Sequence, residues 1–573
     1  MPGLSLLLNF GKNSKEEFLK LLEKSIYFED YENKLLYEND FYIAFFTGYK
    51  YYPFNLYKKD KFSFFIEGNV YNKDEEDLEK SIFEIYDHFL KNLNYKEKIK
   101  NFILDADGEY IIGIFDKENF LIFNDALGRL SLYYFQDEKN FLISRDIGII
   151  NNFISKKEID ENSFSEYLLF MYSLSNRTLI KNIYKAFPGT IFEYKNKKLK
   201  IQKIIEWNFE EKDDKEYKIL LNNLYESFID GIKNRTKKFK NFKIMLGLSG
   251  GFDSRAVFLG LKKINSDFYP VTFIDPDKKH FKDYIISKKI AEIEKKELKI
   301  FEIKEFNIDS IKKLVEIKGG LNYAEMGFMI DFLKEAKKIF GEKVVYFTGD
   351  GGDKLLPYLI PERKIKNYDE LFKFIIIKNK IFDIKEVEKL TSLSSKKIKE
   401  NILNIISSYP EKNLNYKYLH FLFYERCFKY LFEGEDRNRY LIFSISPFYS
   451  IDFFKNSIRI PDKYKKYYKL YKDFFKILNG EIIKIEKSSL GFDIFSKKIF
   501  LREFLKYNIS KYFTLLGIFQ RNKKVYLPPF NLNKLFYDLI KKKNLNLNKI
   551  ILNKEKFFTL LTLLLFSENQ DKS

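Results

Sequence analysis

The chain has 573 residues, 45% hydrophobic and 18% aromatic, which is too long for one core and too apolar for wholesale disorder. Its formal net charge of +20 comes from 101 Lys and Arg against 81 Asp and Glu. These acids and bases interleave, as in "KSIYFEDYENKLLYEND", the pattern of a solvated surface and not of a concentrated nucleic-acid stripe.

In chain order, "MPGLSLLLNFGKN" has a short apolar run with no charge before it, so it does not read as a secretory signal. Residues 1–207 then alternate short apolar runs with brief polar breaks. "EYIIGIFDKENFLIFND", "LSLYYFQDEKNFLISRD" and "GTIFEYKNKKLKIQKIIEW" read as hairpins, and "KFSFFIEGNVYN" as a strand. Charged residues after Trp207 suit a linker. From 215 the period changes. "FKIMLGL", "YPVTFI", "LKIFEI" and "KVVYFTG" are expected strands, each followed by a helical segment, which predicts an α/β domain with a doubly wound parallel sheet. Beyond about 360 the expectation is mostly helix. The longest apolar stretch, Phe557 to Phe566, is half of what a membrane span needs and reads as a buried C-terminal helix in a cytoplasmic protein. The one cysteine, Cys427, excludes intramolecular disulfides and cysteine-based zinc clusters. His88, His280 and His420 stand without metal-ligand spacing.

Two loops carry the chemistry. "LGLSGGFDSRAVF", Leu246 to Phe258, puts Gly250 and Gly251 where a strand hands over to a helix. Residues without Cβ let the backbone take positive φ and approach an anion, and the helix N-terminus favours phosphate. Ser249 and Ser254 add hydroxyls, while Asp253 beside a phosphate calls for a divalent cation between them. A plain strand–helix turn capped by Asp253 or Ser254 would use the same residues. "VVYFTGDGGDKLL" ends a second strand in a similar turn, with Asp350 and Asp353. Facing each other at one sheet edge, the loops would form a nucleotide pocket in which two aspartates share magnesium. The lysine of a P-loop is absent.

"SGGFDS" resembles the pyrophosphate loop of the N-type ATP pyrophosphatases, and "TGDGGDKLL" resembles the matching loop of the asparagine synthetase family. "RNRYLIFSISPFYSIDFFKNSIRIPDKYK" and "NGEIIKIEKSSLGFDIF" are similar to later segments of that family. "EGNVYN", "DGEYIIGIFD", "NDALGRLSLYYF", "FLISRDIGII" and "PGTIFEY" resemble its N-terminal glutaminase-type domain. β-Lactam synthetases and peptide cyclases are similar relatives.

The resemblance implies an Ntn-hydrolase-like αββα sandwich over 1–207. It is followed over 215–573 by an ATP pyrophosphatase (adenine nucleotide α-hydrolase-like) domain with a helical C-terminal part. It implies ATP on Leu248, Ser249, Gly250, Gly251, Asp253, Ser254, Thr348 and Gly349, and Mg2+ on Asp253 and Asp353. It further implies catalytic roles for Lys487, with Lys484 as the alternative, and for Asp350. The activity implied is an AMP-forming amide ligase (asparagine or a related product) that adenylates a small-molecule or peptide carboxylate for attack by an amine or ammonia. A homodimer or a partner glutaminase would be compatible.

The chain also departs from that family. Where the family exposes a nucleophilic cysteine after Met1 is removed, this chain has Pro2, and Glu67 stands where the family has an oxyanion-stabilising asparagine. Asp107 keeps a position used to hold glutamine. The front half is therefore expected to lack glutaminase activity. Family "GEGxDE" is "GDGGDK" here, with Asp350 for glutamate and Lys354 for an acid, and three residues instead of one separate Lys487 from its glycine. A tRNA-modifying pyrophosphatase and a noncatalytic scaffold remain as alternative readings.

Overall fold

The structure is a computed structural model describing residues 1–8, 12–513, 525–543, 545, 547 and 550–572. Among the described residues the first part holds twelve strands: β1 Gly3–Leu8, β2 Tyr31–Glu38, β3 Tyr42–Tyr49, β4 Phe54–Lys58, β5 Ser63–Val70, β6 Gly108–Phe115, β7 Phe120–Asn124, β8 Tyr133–Gln136, β9 Phe141–Ser144, β10 Ile183–Lys185, β11 Thr190–Lys195 and β12 Lys198–Lys203. They form two six-stranded sheets ordered β10-β8-β9-β1-β3-β2 and β12-β11-β7-β6-β5-β4, in which neighbouring strands pair antiparallel.

Local chemistry fixes the three expected hairpins. Asp116 accepts from the N–H groups of Glu118 and Asn119 at 2.8 and 2.7 Å to close β6–β7. Asp137 does the same for Lys139 and Asn140 between β8 and β9. Asn196 and Lys197 both take left-handed φ, 52° and 58°, between β11 and β12, as a two-residue hairpin turn requires. The sheets face each other through aromatic rings such as Tyr42 with Phe115 and Phe120, 5.8 and 5.3 Å between centroids. Helices Glu75–Leu90 and Tyr95–Asp105 cover the second sheet through Tyr86 on Phe62 and Phe102 on Tyr110. Helix Lys12–Lys24 lies on the first sheet through Phe18 and Phe45, giving the αββα layering.

The second part is built on five parallel strands, β13 Lys243–Gly247, β14 Tyr269–Ile274, β15 Lys299–Glu302, β16 Val344–Phe347 and β17 Phe443–Ile445, ordered β15-β14-β13-β16-β17. Connections run outward in both directions from β13, so the carboxyl ends of β13 and β16 flank the topological switch point, where open α/β sheets bind ligands. Burial of every residue in β16 and β17 reflects cover on both faces. β17 departs from the expectation of helix beyond 360. Its three residues lie inside the apolar run "YLIFSI", which has no polar break to announce a strand.

Phe557–Phe566 is buried within helix Lys554–Lys572, as the sequence implied. No helix among the described residues is long and apolar enough to cross a membrane. Buried ion pairs weld the two parts: Arg129 to Glu435, Arg145 to Asp436, Lys185 to Glu433 and Arg235 to Asp107, each at 2.7 Å.

Candidate functional site

β13 delivers the first glycine loop to the switch point, where Leu248 N–H bonds Val271 O at 2.8 Å. Ser249 and Ser254 bring their hydroxyls within 3.1 Å of each other, and Ser254 Oγ accepts the Ser249 N–H. Helix Phe252–Lys263 starts at Gly251 with no side-chain cap, so neither Asp253 nor Ser254 acts as its N-cap. Positive φ, expected at Gly250 and Gly251, occurs at neither.

The need for glycine at 250 is instead close approach, since a Cβ there would lie 2.6 Å from that of Ser488. Gly250 N–H donates to Asp283 Oδ1 at 3.0 Å, which also accepts the Ser488 hydroxyl at 2.6 Å. Arg255 is buried and donates to the carbonyls of Ile482, Ile485, Glu486 and Gly250. It fastens the 482–488 segment over the loop and does not face the pocket.

The second loop leaves β16 and meets the first. A Cβ on Gly349 would lie 2.5 Å from the Ser254 backbone nitrogen, and one on Gly352 would lie 2.3 Å from Asp253 Oδ1. Gly351 takes left-handed φ, 102°, against the ring of Tyr449. Asp253 accepts the Tyr471 hydroxyl. Burial, reinforced by the charge of Asp353 and opposed by Lys487, pushes its carboxyl up to about 7. Lys487 lies with its ammonium 5.2 Å from the Phe252 ring centroid. Lys484 is exposed and paired with Glu481 at 3.0 Å, so of the two lysines Lys487 is the one beside Asp253. Lys354 pairs with the neighbouring Asp353.

Leu248, Ser249, Asp253, Ser254, Thr348, Gly349 and Asp350 line a cavity of about 330 Å³. Gly250, Gly251, Asp353 and Lys487 are not among the residues that line it. Asp350 is open to the cavity but deeply surrounded by protein. That surrounding, with the charge of Glu435, pushes its carboxyl up to about 6. The other wall brings residues that sequence reading did not assign: Met326, Met329, Asp283, His280, Arg437 and Asn438. Arg437 and Asn438 open the segment "RNRYLIF", which carried a family signal; Asp283 and the methionines carried none. His280 contacts Asp275, Nδ1 to Oδ1 3.4 Å.

No cluster of three or more His, Cys, Asp or Glu suited to a metal occurs among the described residues. Magnesium asks for less, because one or two carboxylates suffice when phosphates and water complete its shell. The Asp253–Asp353 pair, whose mutual repulsion helps to raise the Asp253 carboxyl, fits that demand.

At the N-terminal sheets, Glu67 is fully buried and accepts from Leu4 N–H, the Tyr52 hydroxyl and Arg145 Nε at 2.9, 2.9 and 2.7 Å. Asp107 is occupied by Arg235 and by the Ile451 N–H at 3.0 Å. Cys427 is buried in the second part, where burial pushes its thiol up to about 12. A thiol so protonated is a poor nucleophile.

Residues 88–205 match the model of a glutamine amidotransferase domain. This covers β6–β12 and leaves out Pro2, which precedes β1, and Glu67 on β5. No curated protein matches the chain. Among solved structures, an allosteric regulatory enzyme of purine biosynthesis shares 10% identity over 52% of this chain and 80% of its own, at a TM-score of 0.24. Glutamine phosphoribosylpyrophosphate amidotransferase from B. subtilis, complexed with ADP and GMP, shares 9% identity over 72% of this chain and 94% of its own, at 0.23. At such scores neither likeness bears on fold or function. Over residues 88–205, therefore, the chain is similar to a glutamine amidotransferase domain.

Proposed function

We propose that the chain is an ATP-dependent, AMP-forming amide-bond synthetase of asparagine synthetase type without its own glutaminase. The observation that carries this reading is the meeting of two glycine loops with their carboxylates at the switch point of a parallel sheet, around a cavity lined by Ser249, Asp253, Ser254, Thr348 and Asp350.

In this reading adenine lies toward Leu248 and the pyrophosphate half of ATP on Ser249, Gly250, Gly251 and Ser254, close to the start of helix Phe252–Lys263. A substrate carboxylate oxygen attacks the α-phosphorus, the bond to the β-phosphate oxygen breaks, and pyrophosphate leaves. An amine or ammonia then attacks the acyl carbon, the bond to AMP breaks, and the lost proton passes to a base. Asp350, with its carboxyl pushed up to about 6, is suited to that relay. Lys487 supplies positive charge beside Asp253 for the leaving pyrophosphate. Magnesium held by Asp253 and Asp353 would neutralise phosphate charge. Nitrogen comes from free ammonia, a partner glutaminase or an amine on the substrate, because a carboxylate at Glu67 opposes the oxyanion of glutamine hydrolysis.

ATP–pyrophosphate exchange against a panel of carboxylates, with and without ammonia, tests the reading. Exchange that needs a particular acid supports it; release of ADP alone, whatever acid is present, refutes it.

A further inference from the structure

Helix Phe432–Asn438 follows a π-helical segment, Leu422–Leu431, and its last two residues, Arg437 and Asn438, line the cavity. Its acids are all matched by buried cations. Glu433 meets Lys185 and Lys318 at 2.7 and 2.6 Å, Glu435 meets Arg129, and Asp436 meets Arg145. Arg437, the next residue, is different. It is 5% exposed, lines the cavity, and forms no salt bridge among the described residues. Its Nε and Nη2 donate to Asn438 Oδ1 at 3.2 and 3.0 Å, and its Nη1 donates to Asn322 Oδ1 at 3.2 Å. A guanidinium has five N–H donors, so two are left without an acceptor among the described residues. Burial pulls the group down to about 10, with Asp350 the leading charge that holds it up. A buried cation whose hydrogen bonds to the described residues all go to neutral amides is costly, and an anionic ligand in the cavity would relieve it.

We propose that Arg437 binds the carboxylate of the acid substrate, with Asn438 and Asn322 fixing the plane of its fork. This rests on the synthetase reading and names the residue that selects the acid. The phosphates already have the serine hydroxyls and Lys487. Arg437 lines the same cavity beside Asp350, and Met326 and Met329 in that lining suit the body of the acid. The planar guanidinium matches a carboxylate with two parallel hydrogen bonds, which a lysine does not offer. Three of the cations that hold this helix, Arg129, Arg145 and Lys185, come from the N-terminal part. That part thereby acts as a positioning element for the acid site.

The test is ligand-induced thermal stabilisation of the full chain, wild type against Arg437→Gln and Arg437→Lys. The probes are acetate, succinate, L-aspartate, L-glutamate, ATP and pyrophosphate. At least one acid is expected to stabilise the wild type. Both variants should weaken that acid by about tenfold or more, with Arg437→Lys the milder, while pyrophosphate and ATP change by less than about twofold. The retained pyrophosphate response doubles as the folding control, and Arg437→Lys decides the matter if Arg437→Gln does not fold. Unchanged acid binding in the variants, no acid response in the wild type, or an equal loss of pyrophosphate or ATP would each overturn the assignment. Acid binding that depends on Arg437 in a protein without ATP–pyrophosphate exchange would instead sink the adenylation reading and leave this one standing.

Discussion

Replacing Arg145 by Met tests what the buried arginine between Glu67 and Asp436 is worth. Arg145 is wholly buried and touches Glu67 and Asp436, both at 2.7 Å. Asp436 would keep Lys318 at 2.9 Å and Arg439 at 3.7 Å, whereas Glu67 would keep only the Tyr52 hydroxyl and the Leu4 N–H. The cost therefore falls on Glu67, and removing one member of a buried pair typically costs about 3–5 kcal/mol. Burial already holds the Glu67 carboxyl above its ordinary value despite Arg145. Without the arginine it takes up a proton more readily, which limits the loss at low pH. A carboxyl whose folded pKa is raised binds more protons folded than unfolded, so stability falls as pH rises. The penalty should accordingly grow from about pH 5 to about pH 8. Adding Glu67→Gln to the same protein should restore about 2 kcal/mol or more and remove the slope. Urea unfolding of the four proteins at both pH values measures this, read from midpoints at unchanged m. A penalty below about 1 kcal/mol, or a Glu67→Gln change that merely adds to the loss, would refute the reasoning.

Lys487→Ala should lower ATP–pyrophosphate exchange by about a hundredfold, the scale of one lost charge stabiliser. Lys484→Ala, at an exposed position paired with Glu481, should leave exchange unaltered, and equal effects would contradict the placement. Gly352→Ala should cost exchange about a hundredfold by displacing Asp253, whose Oδ1 lies 2.3 Å from where the Cβ would go; normal exchange in this variant would refute the contact between the loops. Burial opposes ionisation of Glu433, but Lys185 and Lys318 outweigh it and hold the carboxyl down to about 2. Its folded pKa being depressed, its stabilisation is full above about pH 4.5 and is lost as pH falls from there to about 2. A circular dichroism titration should show loss of structure over that window, and a flat profile would count against the network. Purified protein given glutamine should release no glutamate, and release would contradict the reading of Pro2 and Glu67.

Much of the fold is legible because its signals are local. The breaks "DKEN" and "QDEKN" contain the very aspartates, Asp116 and Asp137, whose carboxylates close the turns. Both glycine loops announce themselves because each combines glycines, carboxylates and a strand end within a few residues. β17 was missed because three buried residues inside an apolar run carry no period. The positive φ expected at Gly250 was wrong in its reason though right in requiring glycine. Packing of Ser488, more than two hundred residues away, excludes a side chain there.

Composition, hairpin chemistry and the two glycine loops were determined by the sequence by itself, as were the missing thiol at Pro2 and the carboxylate at Glu67. What Glu67 is for, which lysine stands beside Asp253, and which cation faces the cavity were decided only in the tertiary structure. The reason is chain distance: Arg145 reaches Asp436 across 291 residues and Arg437 reaches Asn322 across 115. A side chain's charge can be read from its letter, but whether that charge is matched or left for a ligand depends on what folding brings within hydrogen-bond reach.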